Sequence, residues 1–248
     1  MPRTVLFSFA HPDDESFLGV GLSRWCREHG ARVVLLCATR GERGKAGDEG
    51  ISGGPRDLGE VRERELRDAA RIAGIEEVHL LGYRDRELAG ADPAAMRRLL
   101  VGHLRRLRPD VVVTFDPNGF NVHPDHVAIS RFTSDAIAAA ADPRWLRDAG
   151  PPHAVARLLW TPPLEPRDAA RAAQLAAEPG VDFLIDISPW RSVKAEALRA
   201  HRTQHRSVEE HFFSHPDIDR ILSFEVYRHA WGPSPGARPS TDIFAGIP

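Results

Sequence analysis

Cysteine is scarce in this 248-residue sequence: only Cys26 and Cys37 are present, and neither belongs to a C-x-x-C pair. A disulfide framework is therefore excluded, and a reduced compartment is predicted, namely the cytoplasm. Long hydrophobic runs are also missing, because no window approaches the ~18 apolar residues that would predict a membrane span. The apolar stretch after Arg3 is too short for a secretory signal.

A charge bias is absent as well, since 33 Lys and Arg residues face 35 Asp and Glu residues. This balance argues against a nucleic-acid-binding surface and against an acidic tail. With 42% hydrophobic and 27% charged residues, the composition is that of a globular protein. No internal repeat or linker interrupts the chain, so residues 1–248 are predicted to form a single domain.

In the first half of the chain, apolar runs alternate with amphipathic stretches. The runs predict strands at 4–10, 31–39, 78–83 and 110–115, and the amphipathic stretches predict helices at 15–30, 58–74 and 93–109. A glycine-rich, charged loop is predicted at 40–57. Strands alternating with helices indicate right-handed βαβ units. The predicted fold is therefore α/β and Rossmann-like, with a mostly parallel sheet and helices on both faces.

The second half is less regular. Helices are predicted at 123–141 and 189–204, and strands at 156–162, 182–188 and within 221–231. Two segments rich in proline and glycine, 142–154 and 231–241, are predicted to be exposed loops.

Two polar clusters follow predicted strands: AHPDDE (10–15) comes after the first strand, and HPDH (123–126) follows the fourth. Ligands of such sheets bind beyond the carboxyl ends of the strands. His11, one aspartate of the first cluster and one histidine of the second match the three protein ligands of a catalytic zinc. The other aspartate would be free to act as a general base, and the spare histidine to stabilise an oxyanion or protonate a leaving group.

A plainer interpretation exists for each cluster taken alone. Asp13 and Asp14 would then cap the helix that begins near Glu15, and His123 would stand beside a helix N-terminus without binding a ligand. Because both clusters stand at strand ends, we favour the metal site. The first strand does not lead into G-x-G-x-x-G, which excludes a dinucleotide-binding Rossmann enzyme.

The two clusters together resemble the LmbE-like (PIG-L) family of zinc-dependent N-deacetylases. The resemblance extends over nearly the whole chain through TRGERG (39–44), VREREL (61–66), LGYRD (81–85), RPDVVVTFDP (108–117), K-x-x-A-L-x-x-H-R-T-Q (194–204) and STDIFAGI (240–247). It implies the LmbE-like deacetylase fold.

The resemblance also implies a role for each residue of the clusters. The zinc ligands would be His11, Asp14 and His126, and Asp13 would be the general base. His123 would stabilise the tetrahedral intermediate and protonate the departing amine, and Asp125 would orient His123 through a hydrogen bond.

Two further residues match positions that contact substrate in sugar-binding members, Arg62 and Asp85. The alternatives are that Arg62 is a solvated residue of a charged helix face and that Asp85 is a simple turn residue. Val122 departs from the family, which often has a glycine directly before HPDH. A bulkier residue there would reshape the mouth of the site.

The predicted function is metal-dependent hydrolysis of an N-acyl group, above all N-acetyl, from a glucosamine-containing small molecule or conjugate. The predicted cofactor is Zn²⁺, with Fe²⁺ or another divalent transition metal as alternatives. An amidase acting on a thiol conjugate or another non-acetyl amide is one alternative function. A non-catalytic sugar- or nucleotide-binding module is another, and the intact clusters weigh against it. No nucleic-acid partner is expected, and homo-oligomers are the common case for soluble proteins.

Overall fold

A computed structural model describes residues 2–45, 55–162, 180–216 and 218–248. Within these ranges the chain forms a seven-stranded sheet of order β3-β2-β1-β4-β5-β7-β6. The strands are β1 Thr4–Phe9, β2 Arg32–Thr39, β3 Glu77–Tyr83, β4 Val111–Phe115, β5 Arg157–Thr161, β6 Phe183–Asp186 and β7 Phe224–Trp231. The first five strands are parallel, whereas β7 runs antiparallel to both β5 and β6.

Helices follow the strands as the alternation of the sequence predicts. They are α1 Asp14–Leu18, α2 Val20–Glu28, α3 Pro55–Ala73, α4 Pro93–Leu107, α5 Pro124–Ala141, α6 Arg191–Ala200, α7 His205–Val208 and α8 Ile218–Ile221. The single turn Gly119–Val122 before α5 has non-helical φ/ψ at Phe120 and Asn121, so it forms a loop and not a regular helix. Helices α2, α3 and α6 pack together, while α4 packs on α5. The predicted α/β fold is confirmed, although part of the predicted loop, 46–54, lies outside the described residues. None of the described helices has the length and apolar character needed to cross a membrane.

The predicted helix 15–30 is wrong in one respect, because it is broken at Gly19 into α1 and α2. A Cβ atom at Gly19 would lie 2.7 Å from the ring of Phe7 in β1. Only glycine lets the backbone approach the strand this closely. The break therefore depends on a contact between two elements and not on local sequence.

The strand order reverses between β1 and β4, which lie side by side in the middle of the sheet. Every residue of both strands is buried, as expected for strands covered on both faces. Strands β2 and β3 extend the sheet from one side of this pair, and β5, β7 and β6 extend it from the other. Such a reversal opens a crevice at the carboxyl ends of the two central strands.

The C-terminal segment is fastened to the sheet by Arg157 of β5, whose side chain is completely buried. Its guanidinium donates hydrogen bonds to the backbone carbonyls of Pro233, Ile243 and Ala245. These carbonyl oxygens accept the hydrogen bonds of the two terminal nitrogens of the guanidinium. The closing segment STDIFAGI is thus part of the packed structure.

Candidate active site

The two polar clusters meet at the reversal point of the sheet. His11 to Asp14 follow β1, and the segment 116–126 follows β4. Since β1 and β4 are parallel neighbours, their carboxyl ends open on the same edge. The fold therefore brings together the imidazoles of His11 and His126, which are 115 residues apart in the chain.

Three side chains converge at the bottom of the crevice: His11, Asp14 and His126. Nδ1 of His11 lies 3.1 Å from Nε2 of His126. The carboxylate of Asp14 lies 3.5 Å from Nε2 of His126 and 3.9 Å from Nδ1 of His11. All three residues are buried, so these distances join ligand atoms that solvent barely reaches.

The outer nitrogen of each imidazole has an acceptor. Nε2 of His11 lies 3.2 Å from Asp85 and 3.2 Å from Asp125, and Nδ1 of His126 donates to the carbonyl of Gly119 at 3.2 Å. With its outer nitrogen protonated, a neutral imidazole carries its lone pair on the inner nitrogen. Two lone pairs and a carboxylate thus face one another, which is the donor set that a divalent transition metal requires.

Electrostatics favour a positive charge at this point. Burial alone would lower the pKa of His11, but its bonds to Asp125 and Asp85 raise that pKa to about 10. Burial and the charge of His11 together lower the pKa of His126 to about 4. One cation placed between the two inner nitrogens would satisfy both rings, and a metal ion fits these residues.

Two other groups of side chains within the described ranges bring ligand atoms within 4.8 Å of one another, and both contain His11. One adds Asp85 and Asp125, which both lie 3.2 Å from the outer nitrogen of His11 and also accept backbone N–H groups. The other adds His123 and His126. Asp14 accepts backbone N–H groups as well, but with Oδ2, while its Oδ1 lies 3.5 Å from Nε2 of His126. Asp85 and Asp125 therefore hold the outer nitrogen of His11. The inner nitrogens of His11 and His126, together with Asp14, remain the better set of metal ligands.

His123 is the N-cap residue of α5, where its Nδ1 accepts the backbone N–H of Asp125 at 3.2 Å. His123 therefore stands at the helix N-terminus, the position that the plainer interpretation gives it. A neutral ring that accepts at Nδ1 carries its proton on Nε2, and this nitrogen cannot then bind a metal. His123 is half-buried beside His11, with the ring centroids 4.8 Å apart, and presents an N–H donor to the crevice.

Asp125 was expected to orient His123 through its side chain, but the structure places this carboxylate elsewhere. It accepts backbone N–H groups from Arg86 at 2.6 Å and Leu88 at 3.1 Å, and it lies 3.2 Å from Nε2 of His11. The rotation of α5 turns Asp125 away from the N-cap ring and toward β1. Asp125 thus orients His11, and its bond with His123 runs through the main chain.

Asp13 has a strained backbone, with φ 109° and ψ −27°, a conformation that L residues rarely adopt. Its side chain does not cap α1, so the capping interpretation is wrong for this residue. One carboxylate oxygen lies 3.2 Å from Nη2 of Arg62. Burial raises the pKa of Asp13 to about 6, against the opposing charge of Arg62. Such a carboxyl can accept a proton near neutral pH.

Arg62 is 3% exposed, which excludes the solvated alternative for this residue. Besides Asp13, its guanidinium donates to the carbonyls of Pro12 and Gly41. A Cβ atom at Gly41 would lie 2.2 Å from Nη1 of Arg62, and one at Gly44 would lie 2.5 Å away. The glycines of TRGERG therefore make room for the guanidinium that holds Asp13.

Asp85 stands in a turn, as the alternative interpretation has it, but its side chain is buried against His11. Burial would raise its pKa, but the bond to His11 lowers it to about 2. Its second oxygen accepts the backbone N–H of Arg43 at 3.0 Å, and its own N–H donates to Glu42 at 3.1 Å. Asp85 thus joins the loop after β2 to His11.

A pocket of about 280 Å³ opens above this cluster. Both polar and apolar side chains line it. The lining includes the cluster residues His11, Asp13, Asp14, Arg62, Asp85, His123 and His126, together with Phe17, Leu18, Gly44, Arg86, Phe115, Phe120, Asn121, Gln204, Ser207 and His211. The apolar members lie on α1 and around the end of β4, and the other polar members come largely from the segment after α6.

Neither Glu15 nor His201 is among the predicted site residues. Both are completely buried, and Nε2 of His201 lies 2.8 Å from Oε1 of Glu15. The motif AHPDDE contains Glu15 and the motif HRTQ contains His201, so both positions were visible. What no sequence pattern indicates is that residues 186 positions apart are paired.

The fold and the cluster define the class of the protein: a doubly wound α/β protein with a candidate His/Asp metal site at its reversal point. Metal-dependent hydrolases belong to this class. Residues 6–137 match the PIG-L family, whose description is GlcNAc-PI de-N-acetylase. The chain belongs to this family, which confirms the resemblance found in the sequence.

Relatives of known name are similar over most of the chain. The 1D-myo-inositol 2-acetamido-2-deoxy-alpha-D-glucopyranoside deacetylase of Streptomyces scabiei is 34% identical, covering 98% of this chain and 90% of that protein. A probable N-acetyl-alpha-D-glucosaminyl L-malate deacetylase 2 of Bacillus anthracis is 35% identical over 55% of this chain and 60% of that protein.

Among solved structures, N,N'-diacetylchitobiose deacetylase from Pyrococcus horikoshii superposes with a TM-score of 0.72. The match covers 92% of this chain and 84% of that chain at 22% identity. At this identity the likeness supports the fold alone, and it agrees with the predicted LmbE-like architecture.

Proposed function

We propose that this protein is a metal-dependent hydrolase that removes the N-acetyl group from a glucosamine-containing small molecule or conjugate. The observation that carries the proposal is the convergence of His11, Asp14 and His126 beside Asp13, with distances of 3.1, 3.5 and 3.9 Å among the three side chains. The names of the relatives, which are deacetylases of GlcNAc conjugates, support the reaction.

The metal we propose is zinc, held by His11, Asp14 and His126, although Fe²⁺ suits the same ligands. When bound, the cation supplies Lewis-acid activation of the amide carbonyl and of the attacking water. The paired bonds of His11 to Asp85 and Asp125 support this assignment, because metal-binding histidines donate their other N–H to a carboxylate or carbonyl.

The protein residues would divide the remaining work. Asp13 takes the proton of the attacking water, and Arg62 keeps the carboxylate of Asp13 turned toward it. His123 donates its Nε2 hydrogen to the oxygen that becomes negative in the transition state. Protonation of the departing amine then completes the reaction. His123 was expected to supply this proton, but as a neutral ring it would become an imidazolate, so Asp13 passes on the proton that it took from the water.

The sugar would occupy the pocket above the cluster, where Arg62 and Asp85 both line the wall. We propose these two residues as substrate contacts in addition to their bonds within the cluster. Coverage of 98% favours an inositol conjugate as the first substrate to test, ahead of a malate conjugate.

Two coarser features complete the proposal. Both halves of the chain contribute strands to one sheet, which supports a single domain over 1–248. The free, buried thiols of Cys26 and Cys37 are consistent with a reducing compartment, and we propose the cytoplasm.

The test is amine release by metal-loaded protein from N-acetylglucosamine conjugates of inositol and malate and from N,N'-diacetylchitobiose. The control is the variant Asp13→Ala. Release from one substrate that disappears in the variant supports the proposal. Near-wild-type release by the variant contradicts the role of Asp13. No release from any substrate, with one metal bound per chain, contradicts the amino-sugar substrate and leaves the alternative amidase.

A further inference from the structure

The left-handed backbone of Asp13 needs an explanation beyond its own side chain. Such a conformation persists only where the surroundings force it, and residues held in this way cluster at active sites. Arg62 holds the carboxylate of Asp13 and the carbonyl of Pro12, so it contacts one side of the peptide unit that precedes Asp13. The left-handed conformation sets the direction of the backbone N–H of Asp13, and this N–H points to Glu15.

The side chain of Glu15 contacts the backbone of the strained residue Asp13. Its Oε2 accepts the backbone N–H of Asp13 at 3.1 Å, and its Oε1 accepts the hydroxyl of Ser16 at 2.6 Å. The side chain of Glu15 is completely buried, so no water competes for the Asp13 bond. A buried carboxylate needs a compensating partner, since an unpaired one would be strongly destabilising.

That partner is His201, just past the end of α6. Its Nε2 lies 2.8 Å from Oε1 of Glu15 and 3.1 Å from the hydroxyl of Ser16. The ring is completely buried, and its Nδ1 has no hydrogen-bond partner among the described residues. The imidazole thus directs its polar contacts at the turn that carries Asp13.

We propose that Glu15 and His201 are positioning residues that hold the main chain of Asp13 in its left-handed conformation, so that the Asp13 carboxylate stays aimed at the reacting water. This inference rests on the proposed function of Asp13 as the general base. His201 acts through Glu15, and Glu15 acts through the backbone N–H of Asp13. Arg62 holds the same residue from the carboxylate side.

The first experiment is a double-mutant cycle. Glu15→Gln keeps the size of the side chain but removes the charge that binds His201. We expect kcat to fall about tenfold to a hundredfold, with KM and metal content unchanged, because small misplacements of a reacting group cost rates of this order. In a protein that already carries Asp13→Asn, the same change should alter kcat less than twofold. Equal effects in both backgrounds would overturn the proposal.

The second experiment does not depend on activity. Deuterium uptake at the Asp13 amide is measured by NMR in three proteins: wild type, His201→Leu and His201→Gln. Glutamine can still donate to Glu15, whereas leucine cannot. We expect faster exchange in His201→Leu and near-wild-type protection in His201→Gln. Equal protection in all three proteins would show that His201 does not hold the turn.

Asp182→Asn serves as the matched control. Asp182 is a buried carboxylate that accepts a backbone N–H, from His229 at 2.7 Å, and pairs with Arg238 at 3.2 Å, but it lies at the far edge of the sheet. Its loss should lower the free energy of unfolding without changing kcat or the Asp13 amide. If wild-type protein releases no amine, the proposed function fails, yet the exchange experiment still decides whether Glu15 and His201 position Asp13.

Discussion

The turn 10–15 after β1 and the loop 119–122 after β4 both carry strained residues, but they are held in opposite ways. In the turn, Asp13 has φ 109° and is surrounded by buried charged side chains. In the loop, Phe120 has φ 62° and Val122 has φ 58°, and Val122 is 75% exposed. The loop is held by short-range bonds, such as the 3.1 Å bond from the N–H of Val122 to the carbonyl of Asn118.

We therefore expect the turn to serve the reaction itself and the loop to serve substrate access. Partners from distant elements fix the turn, so a change there should disturb the reaction itself. The loop depends on its own backbone and forms one wall of the pocket mouth, so a change there should disturb stability and substrate fit. The left-handed φ of Val122 is one that glycine adopts more readily than valine. The following predictions test the contrast, from the largest effect to the smallest.

Removal of His126 should have the largest effect, although it follows the loop and not the turn. We expect His126→Ala to lose bound metal and nearly all amine release, because its Nε2 lies 3.1 Å from Nδ1 of His11 in the ligand set. Metal per chain is measured by mass spectrometry. His29→Ala, which changes an exposed histidine at the end of α2, should retain metal and activity. Metal retention by His126→Ala would remove it from the ligand set.

Asp13→Asn should reduce kcat by roughly 10²–10⁴, the usual contribution of a general base. Asparagine tolerates a left-handed backbone, so the fold and the metal content should be preserved. Steady-state kinetics together with metal analysis check both expectations. Activity above a tenth of the wild-type value would mean that another group is the general base. It would also contradict the expectation that the turn serves the reaction and the loop does not.

Gly41→Ala should disturb the turn indirectly. The new Cβ would lie 2.2 Å from Nη1 of Arg62 and would also occupy a backbone with φ 61°. We expect the free energy of unfolding to fall by about 1–3 kcal/mol, and kcat to fall because Arg62 no longer holds Asp13. Urea unfolding and kinetics measure the two effects.

Gly30→Ala is the matched control for that variant. Gly30 has φ 71°, and a Cβ there would meet nothing within 4 Å. Its substitution should lower the free energy of unfolding by about 1 kcal/mol from backbone strain alone and leave kcat unchanged. Equal losses of kcat in Gly41→Ala and Gly30→Ala would mean that the space which Gly41 leaves for Arg62 does not affect the reaction.

Val122→Gly should have the smallest effect, and in the opposite direction. Glycine relieves the left-handed strain, and little buried surface is lost because the valine is exposed. After the greater chain entropy of glycine is deducted, we expect a gain of about 0.5–1 kcal/mol in the free energy of unfolding. Val122→Ala keeps the strain and should gain less. KM should change more than kcat, and a large loss of kcat would show that the loop also serves the chemistry.

Much of the fold follows from local patterns. Continuous apolar runs indicate β1, β2 and β4, because strands covered on both faces need no alternation. Glycines placed after amphipathic stretches mark the ends of helices, as Gly74 does just beyond α3. The break at Gly19 and the antiparallel pairing of β7 were not predictable, since each depends on a neighbour brought close only by folding.

The candidate site, like the fold, could be predicted from the sequence only in part. The position of both clusters at strand ends predicts that His11 meets a histidine of HPDH. The family resemblance selects His126, and the two rings do meet. The sequence does not indicate that Asp125 faces His11, because this depends on the rotation of α5 about its axis. The burial of Arg62 was equally hidden: charged residues around it in VREREL indicate a solvated helix face, whereas glycines from another loop enclose it.

The bonds of Arg157 also constrain the order of events during synthesis. The guanidinium donates hydrogen bonds to carbonyls as far along the chain as that of Ala245, 88 residues later. At about 5–20 residues per second, a ribosome needs several seconds or more to deliver them. During that interval the arginine must remain hydrated, so β5 should join the growing sheet only after the tail has emerged, and the crevice between β1 and β4 can form well before the other half of the sheet closes.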